Sequence, residues 1–171
     1  MDDSQIFITG ANGQLGTALR AKYVRAKSAD INELDITNKE SVMNYDWSGI
    51  KVINAAAYTN VDGAETPEGR VSAWKVNATA VGYLSEAARK YDITLIHIST
   101  DYVFDGTKNP HTETEDFSPL SVYVASKAAW DLLVSSLPKY YILRTSWVIG
   151  EGNNFVRTML GLGKKGVNPT V

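Results

Sequence analysis

Hydrophobic positions along the chain gather into short runs separated by polar stretches with helical spacing. Strand-length apolar runs fall at Gln5–Thr9, Lys51–Asn54, Thr94–Ser99 and Tyr140–Thr145, and a weaker one lies over Lys27–Asp30. Between them the pattern predicts helices over Gln14–Tyr23, Val71–Lys90, Ser121–Leu137 and Asn154–Lys164. Thr37-Asn-Lys-Glu40 reads as a capping box that opens one more short helix. Strands alternating with helices predict a parallel sheet covered on both faces, an α/β fold. The segment Asp101–Pro119 is a long connection, and connections of that length are uncommon unless they carry a function. Trp74 and the alanine-rich face of Val71–Lys90 are expected in the core. The chain ends in Lys165–Val171, where a further strand is expected to begin, so the sequence reads as cut short.

Composition narrows the function classes. The 171 residues suffice for one domain, 1–171, with a sizeable core. Hydrophobic residues make up 44% and charged residues 21%, the balance of an ordinary globular protein. A formal net charge of -2 gives no electrostatic footprint for nucleic acid. No apolar run approaches the roughly 18 residues of a membrane helix, so no membrane partner is expected. The acidic start, Met1–Gln5, leads straight into a strand and does not read as a signal peptide. The absence of cysteine excludes disulfides and thiolate chemistry and fits a cytoplasmic protein. The two histidines stand in different contexts, so no metal site is expected from them.

The chemistry begins with Gly10, Gly13 and Gly16, spaced G-x-x-G-x-x-G between the first strand and the first helix. Glycine permits a tight turn and close approach to a pyrophosphate, and the helix start offers free N–H groups; a plain strand–helix turn is the simpler alternative. Asp30, at the end of the second strand, suits a carboxylate that accepts hydrogen bonds from an adenosine ribose. No basic residue follows directly, which favours NAD over NADP. Asp35 is expected as a turn or an adenine-side residue, and Ile36 beside it as a cofactor position. Asn54–Thr59 ends the third strand with small side chains, Ala55 and Ala56 among them, against which a flat cofactor can lie. After the fourth strand, Ser99, Thr100 and Asp101 concentrate polar groups, and Thr100 can donate to a substrate carbonyl. Tyr123 and Lys127 share one helix face, where an ammonium can pull a phenol down toward neutral pH. Most of these segments follow a predicted strand, and the carboxyl ends of parallel strands are where ligands bind. His97 reads as a satisfied structural histidine, and Asn77 as a polar group near the cofactor.

Together these segments resemble the extended short-chain dehydrogenase/reductases, and within them the dTDP-4-dehydrorhamnose reductase family. The resemblance is carried by Ile8–Gly16, Glu33–Asn38, Val52–Asp62, His97–Gly106, Leu143–Trp147 and Asn153-Asn-Phe155. It implies a Rossmann-like doubly wound sheet with the C-terminal substrate-binding part largely missing. It implies reduction of dTDP-6-deoxy-L-lyxo-4-hexulose to dTDP-L-rhamnose with NADH or NADPH. By resemblance Tyr123 donates the proton, Lys127 holds the nicotinamide ribose and lowers the tyrosine pKa, and Thr100 orients the carbonyl. Thr59, Tyr102 and Trp147 match sugar-contacting positions. Gly10, Asn12, Gly13, Gln14, Leu15, Gly16, Asp30, Ala55, Ala56, Asn77 and Ser99 match cofactor positions. A magnesium-supported homodimer stays open, as do a non-catalytic cofactor-binding subunit and an epimerase or dehydratase of the same superfamily. The chain departs from the family at Val124, where glycine is usual, and at Trp130-Asp131, which replaces Gly-Glu.

Overall fold

A computed structural model describes residues 2–47, 50–152 and 154–168. The strand expected to begin at the end of the chain falls on 169–171, and Asn153 of the Asn-Asn-Phe stretch is likewise outside the described residues.

Five parallel strands form one sheet: β1 (Ile6–Thr9), β2 (Lys27–Ala29), β3 (Lys51–Asn54), β4 (Thr94–Thr100) and β5 (Tyr140–Thr145), in the order β2-β1-β3-β4-β5. The chain builds outward from β1 to one side and then crosses to the other, so the topological switch lies between β1 and β3. The helices are α1 (Gln14–Lys22), α2 (Lys39–Asn44), α3 (Pro67–Ala73), α4 (Ala80–Lys90), α5 (Val122–Ser135) and α6 (Phe155–Lys164). Alternation along the strands divides the core. Phe7, Val52 and Leu95 join the larger cluster with Val42, Trp47, Val81, Leu84, Trp130 and Val134 under α2, α4 and α5. Ile6, Ile8 and Ile53 face the opposite way and pack on Leu19 and Tyr23 around α1. This is the doubly wound α/β arrangement expected.

Several boundaries differ from the sequence pattern. Asn38, not Thr37, caps α2, its side chain accepting the N–H of Ser41 at 3.2 Å. The Thr37 hydroxyl instead donates to Asp35 at 2.7 Å, closing a turn before the helix. The long helix begins at Pro67, with Thr66 accepting the N–H of Gly69 as cap. Between α3 and α4 the chain stays helical but widens into a π-helical turn over Trp74–Thr79. That wider turn brings Ala73, Asn77, Ala78 and Ala80 inward and leaves Trp74 outside, 41% exposed, rather than in the core. The long connection packs on itself and on β5: His111 stacks on Phe104 at 4.7 Å, and the Arg144 guanidinium of β5 lies over the rings of Phe104 and Phe117.

Candidate active site

The carboxyl ends of the central strands carry a buried polar ladder. Thr9, Asn54 and His97 are register partners on β1, β3 and β4. The Thr9 hydroxyl donates to Asn54 Oδ1 at 2.6 Å, and the Asn54 amide lies 3.4 Å from His97 Nδ1. His97 is only half satisfied, because its Nε2 has no partner among the described residues. Burial, reinforced by the nearby Lys127 charge, holds its pKa well below the ordinary imidazole value, so it is neutral.

The glycine turn fits a dinucleotide. Gly10 has φ +65°, and a Cβ there would stand 2.6 Å from the backbone of Ala56, so β1's turn lies directly against the chain leaving β3. A Cβ on Gly16 would collide with the Gly10 carbonyl oxygen. Gly13 starts α1 with no side-chain cap, leaving N–H groups available to an anion. Cavities open on both sides of this turn. The smaller, about 350 Å³, is lined by Gly10, Asp30, Asp35, Ile36, Ala55 and Ala56, among others. The larger, about 790 Å³, brings Asn12, Gly13, Gln14 and Leu15 together with Ala55, Thr59, Ser99, Thr100, Tyr123, Lys127 and Trp147. Gly16 lines neither and serves the close packing beneath.

Tyr123 sits in the first turn of α5. Ser121 caps that helix, and Glu65, from a 3-10 turn after β3, accepts the N–H of Val122 at 2.8 Å. Lys127, one turn on, is 3% exposed, and its ammonium donates to the Ile98 carbonyl at 2.8 Å. Burial lowers its pKa to about 8, opposed by the Asp131 carboxylate. The Tyr123 phenol is pushed up from its ordinary value, by burial first and by Tyr102 second. The expected lowering of the phenol by the lysine is therefore absent in this arrangement, where the ammonium is turned to the strand carbonyl. Thr100 is also engaged: its hydroxyl accepts the N–H of Tyr102 at 3.2 Å and donates to Asp101 at 3.3 Å.

Two expected contacts lie elsewhere. Asn77 is fully buried and lines neither cavity. Its Oδ1 accepts the N–H of Tyr58, and its Nδ2 donates to the Tyr58 carbonyl and to Ser126 Oγ, which in turn donates to the Tyr123 carbonyl. It braces the chain leaving β3 against α5. Tyr102 reaches the larger cavity through Trp147, whose indole N–H donates to its hydroxyl at 2.7 Å. Gln14 reaches across from α1 to the Val148 carbonyl at 3.2 Å.

Sequence reasoning passed over Glu65 and the pair Asp131–Arg144. Arg144 Nε donates to Asp131 Oδ2 at 2.8 Å, and Asp131 is wholly buried. Burial raises the Asp131 carboxyl, while the Ser99 hydroxyl and Arg144 pull it back. The departures at Trp130-Asp131 are thus packing around Lys127: the Trp130 ring meets His97 edge-on at 3.8 Å and lies 5.3 Å below the ammonium. Spacing hinted at this, since Asp131 stands one helical turn beyond Lys127. Among the described residues no group of three histidine, aspartate or glutamate side chains gathers as a metal site, and no helix is long and apolar enough to cross a membrane.

A parallel sheet with a glycine turn at its switch point and a Tyr/Lys pair across the same cleft defines a Rossmann-like domain of the short-chain dehydrogenase/reductase class. Comparison with known proteins narrows the class. The profile of the family described as RmlD substrate binding domain matches residues 4–171. The dTDP-4-dehydrorhamnose reductase of Aggregatibacter actinomycetemcomitans is 47% identical over 171 residues, covering 94% of this chain and 58% of the relative. The crystal structure of a dTDP-4-dehydrorhamnose reductase from Clostridium acetobutylicum superposes with a TM-score of 0.86 at 42% identity, covering 94% of this chain and 59% of that one. The Bacillus anthracis dTDP-4-dehydrorhamnose reductase in complex with NADP gives 0.84 at 39% identity over the same shares. The chain belongs to the dTDP-4-dehydrorhamnose reductase family, and it spans a little over half the length of these relatives.

Proposed function

We propose that this chain is the cofactor-binding part of a reductase that converts dTDP-6-deoxy-L-lyxo-4-hexulose to dTDP-L-rhamnose. The observation that carries the reading is that Tyr123, Lys127 and Thr100 line one cavity with the glycine turn. A reduced nicotinamide bound there supplies the hydride for C4 of the sugar. The smaller cavity would hold the adenosine, with Asp30, Asp35, Ala55 and Ala56 among its lining residues. The open start of α1 holds the pyrophosphate.

Tyr123 donates its proton to the C4 oxygen as negative charge develops there. A phenol held above its ordinary pKa keeps that proton at neutral pH and is a weak acid until an ammonium faces it. Lys127, whose ammonium donates to the Ile98 carbonyl, would supply that charge and would hold the nicotinamide ribose when the cofactor is bound. Thr100 turns its hydroxyl from Asp101 to the substrate carbonyl. Trp147 and Thr59 form the sugar side of the cavity, and the Tyr102 hydroxyl holds the Trp147 indole in place.

Cofactor binding is tested on the chain itself. NADH or NADPH at about a hundred times its Kd should stabilise it by about 2.7 kcal/mol, read as a rise in melting temperature. In a whole-length protein carrying this domain, Tyr123→Phe should cut reduction of the keto-sugar by about a hundredfold or more and leave cofactor binding intact. Undiminished turnover would remove Tyr123 from the chemistry.

A further inference from the structure

The smaller cavity has acidic groups on its wall. Asp30 and Asp35 line it, and no lysine or arginine does. Asp30 is fixed in place: its Oδ2 accepts the N–H of Asn12 at 2.7 Å and its Oδ1 the N–H of Ile31 at 2.8 Å, while Glu33 accepts the N–H of Asp30 at 3.0 Å. A carboxylate accepts at about four lone-pair positions, so places remain for ribose hydroxyls. Asn12 is shared between two charges. Its backbone is bonded to Asp30, and its side-chain oxygen faces Nη1 of Arg20 at 3.4 Å. Arg20 stands one helical turn beyond Gly16 on α1, exposed. Among the described residues it makes no salt bridge, whereas Arg25 is committed to Asp2 and Asp3.

We propose that Arg20 is the residue that holds the 2′-phosphate when the cofactor is NADPH, although the acidic Asp30 directly follows β2. The inference rests on the cofactor reading above and names the side chain that decides phosphate discrimination. A cofactor whose pyrophosphate sits at the start of α1 places its adenosine ribose along the turn from Gly10 to Gly13, beside Asn12 and Asp30. A 2′-phosphate is repelled by the fixed Asp30 carboxylate. On the other side of Asn12 stands a guanidinium with a planar fork of donors suited to phosphate. Its contact to Asn12 is long and neutral on the acceptor side, so phosphate oxygens displace it readily. Asp30 serves the 2′-hydroxyl and Arg20 the 2′-phosphate, with Asn12 as the divider.

The test is titration of NADH and NADPH into the 171-residue chain, followed by tryptophan fluorescence, for wild type, Arg20→Gln, Arg20→Lys and Asp30→Asn. Arg20→Gln should weaken NADPH by about tenfold and change NADH by less than about twofold. Arg20→Lys should keep part of the NADPH affinity, and Asp30→Asn should favour NADPH over NADH. Added salt should weaken NADPH more than NADH in wild type, and that difference should vanish in Arg20→Gln. An equal loss for both cofactors in Arg20→Gln, or no loss for NADPH, overturns the inference. Wild type that binds NADH but not NADPH overturns it too, while the cofactor reading stands. Wild type that binds neither cofactor overturns that reading, and the inference with it.

Discussion

Lys127 shows how a single buried group couples the site to pH. Its ammonium is nearly solvent-free, and burial brings its pKa from 10.5 to about 8. Below pH 8 it is charged in the folded and unfolded chains alike, and the folded state bears the cost of burying that charge. Between pH 8 and 10.5 the folded chain releases the proton while the unfolded chain keeps it, so stability rises with pH through that window. Tyr123 works the other way. Its phenol is raised, so above pH 10 the unfolded chain loses a proton that the folded chain retains, and stability falls. Urea unfolding should therefore show a gain between about pH 8 and 10 that Lys127→Met abolishes. The same slope in wild type and variant would mean that the ammonium is not desolvated in solution.

At the scale of elements, the π-helical turn between α3 and α4 sets the amide that braces α5, the helix of Tyr123 and Lys127. A regular helix over the same residues would rotate Asn77 away from Tyr58 and Ser126. The wider turn instead places one amide against the chain leaving β3 and against α5. Asn77→Ala should cost about 2–3 kcal/mol, because three hydrogen bonds go and the backbone groups of Tyr58 lose their partners. Denaturant unfolding measures this, and a loss below about 0.5 kcal/mol would show that the brace is dispensable. Boundary errors in the sequence reading also arise at this scale. Thr66-Pro67-Glu68 carries a helix start, but Gly69 in the first turn obscures it; that glycine is required because a Cβ there would collide with the Gly63 carbonyl.

Among the described residues the sheet is covered unevenly. One face of the sheet is sealed by α2, α4 and α5, while the cluster on the other, under α1, is built on β1 and β3 with Ile96 of β4 partly buried against it. Beside Ile96 and Ile98 on that second face, Tyr141 and Leu143 of the edge strand β5 stand 62% and 48% exposed. No residue of α6 is buried, and Leu160 on it is 61% exposed. An apolar edge strand is a template for pairing with another chain. The 171-residue chain should self-associate as its concentration rises, and Tyr141→Lys should shift its elution toward the monomer. Identical elution for the two proteins at every concentration would show that the exposed edge is inert.

Local pattern was enough for the parallel α/β plan, the order of elements, the glycine turn and the position of Tyr123 and Lys127 on one helix face. Each of these depends on spacing along the chain: apolar runs, caps, and the four-residue interval that repeats a helix face. Contacts between distant segments had no such signature. Nothing in the spacing says that Asn77 spends its amide on Tyr58 and Ser126, that Trp74 turns outward, or that the Lys127 ammonium rests on a strand carbonyl. Nor does it say that Arg144 meets Asp131, or that Arg20 comes within reach of Asn12 beside Asp30. Those outcomes follow from where whole elements pack, because a buried polar group takes whichever partner the assembled fold brings to it.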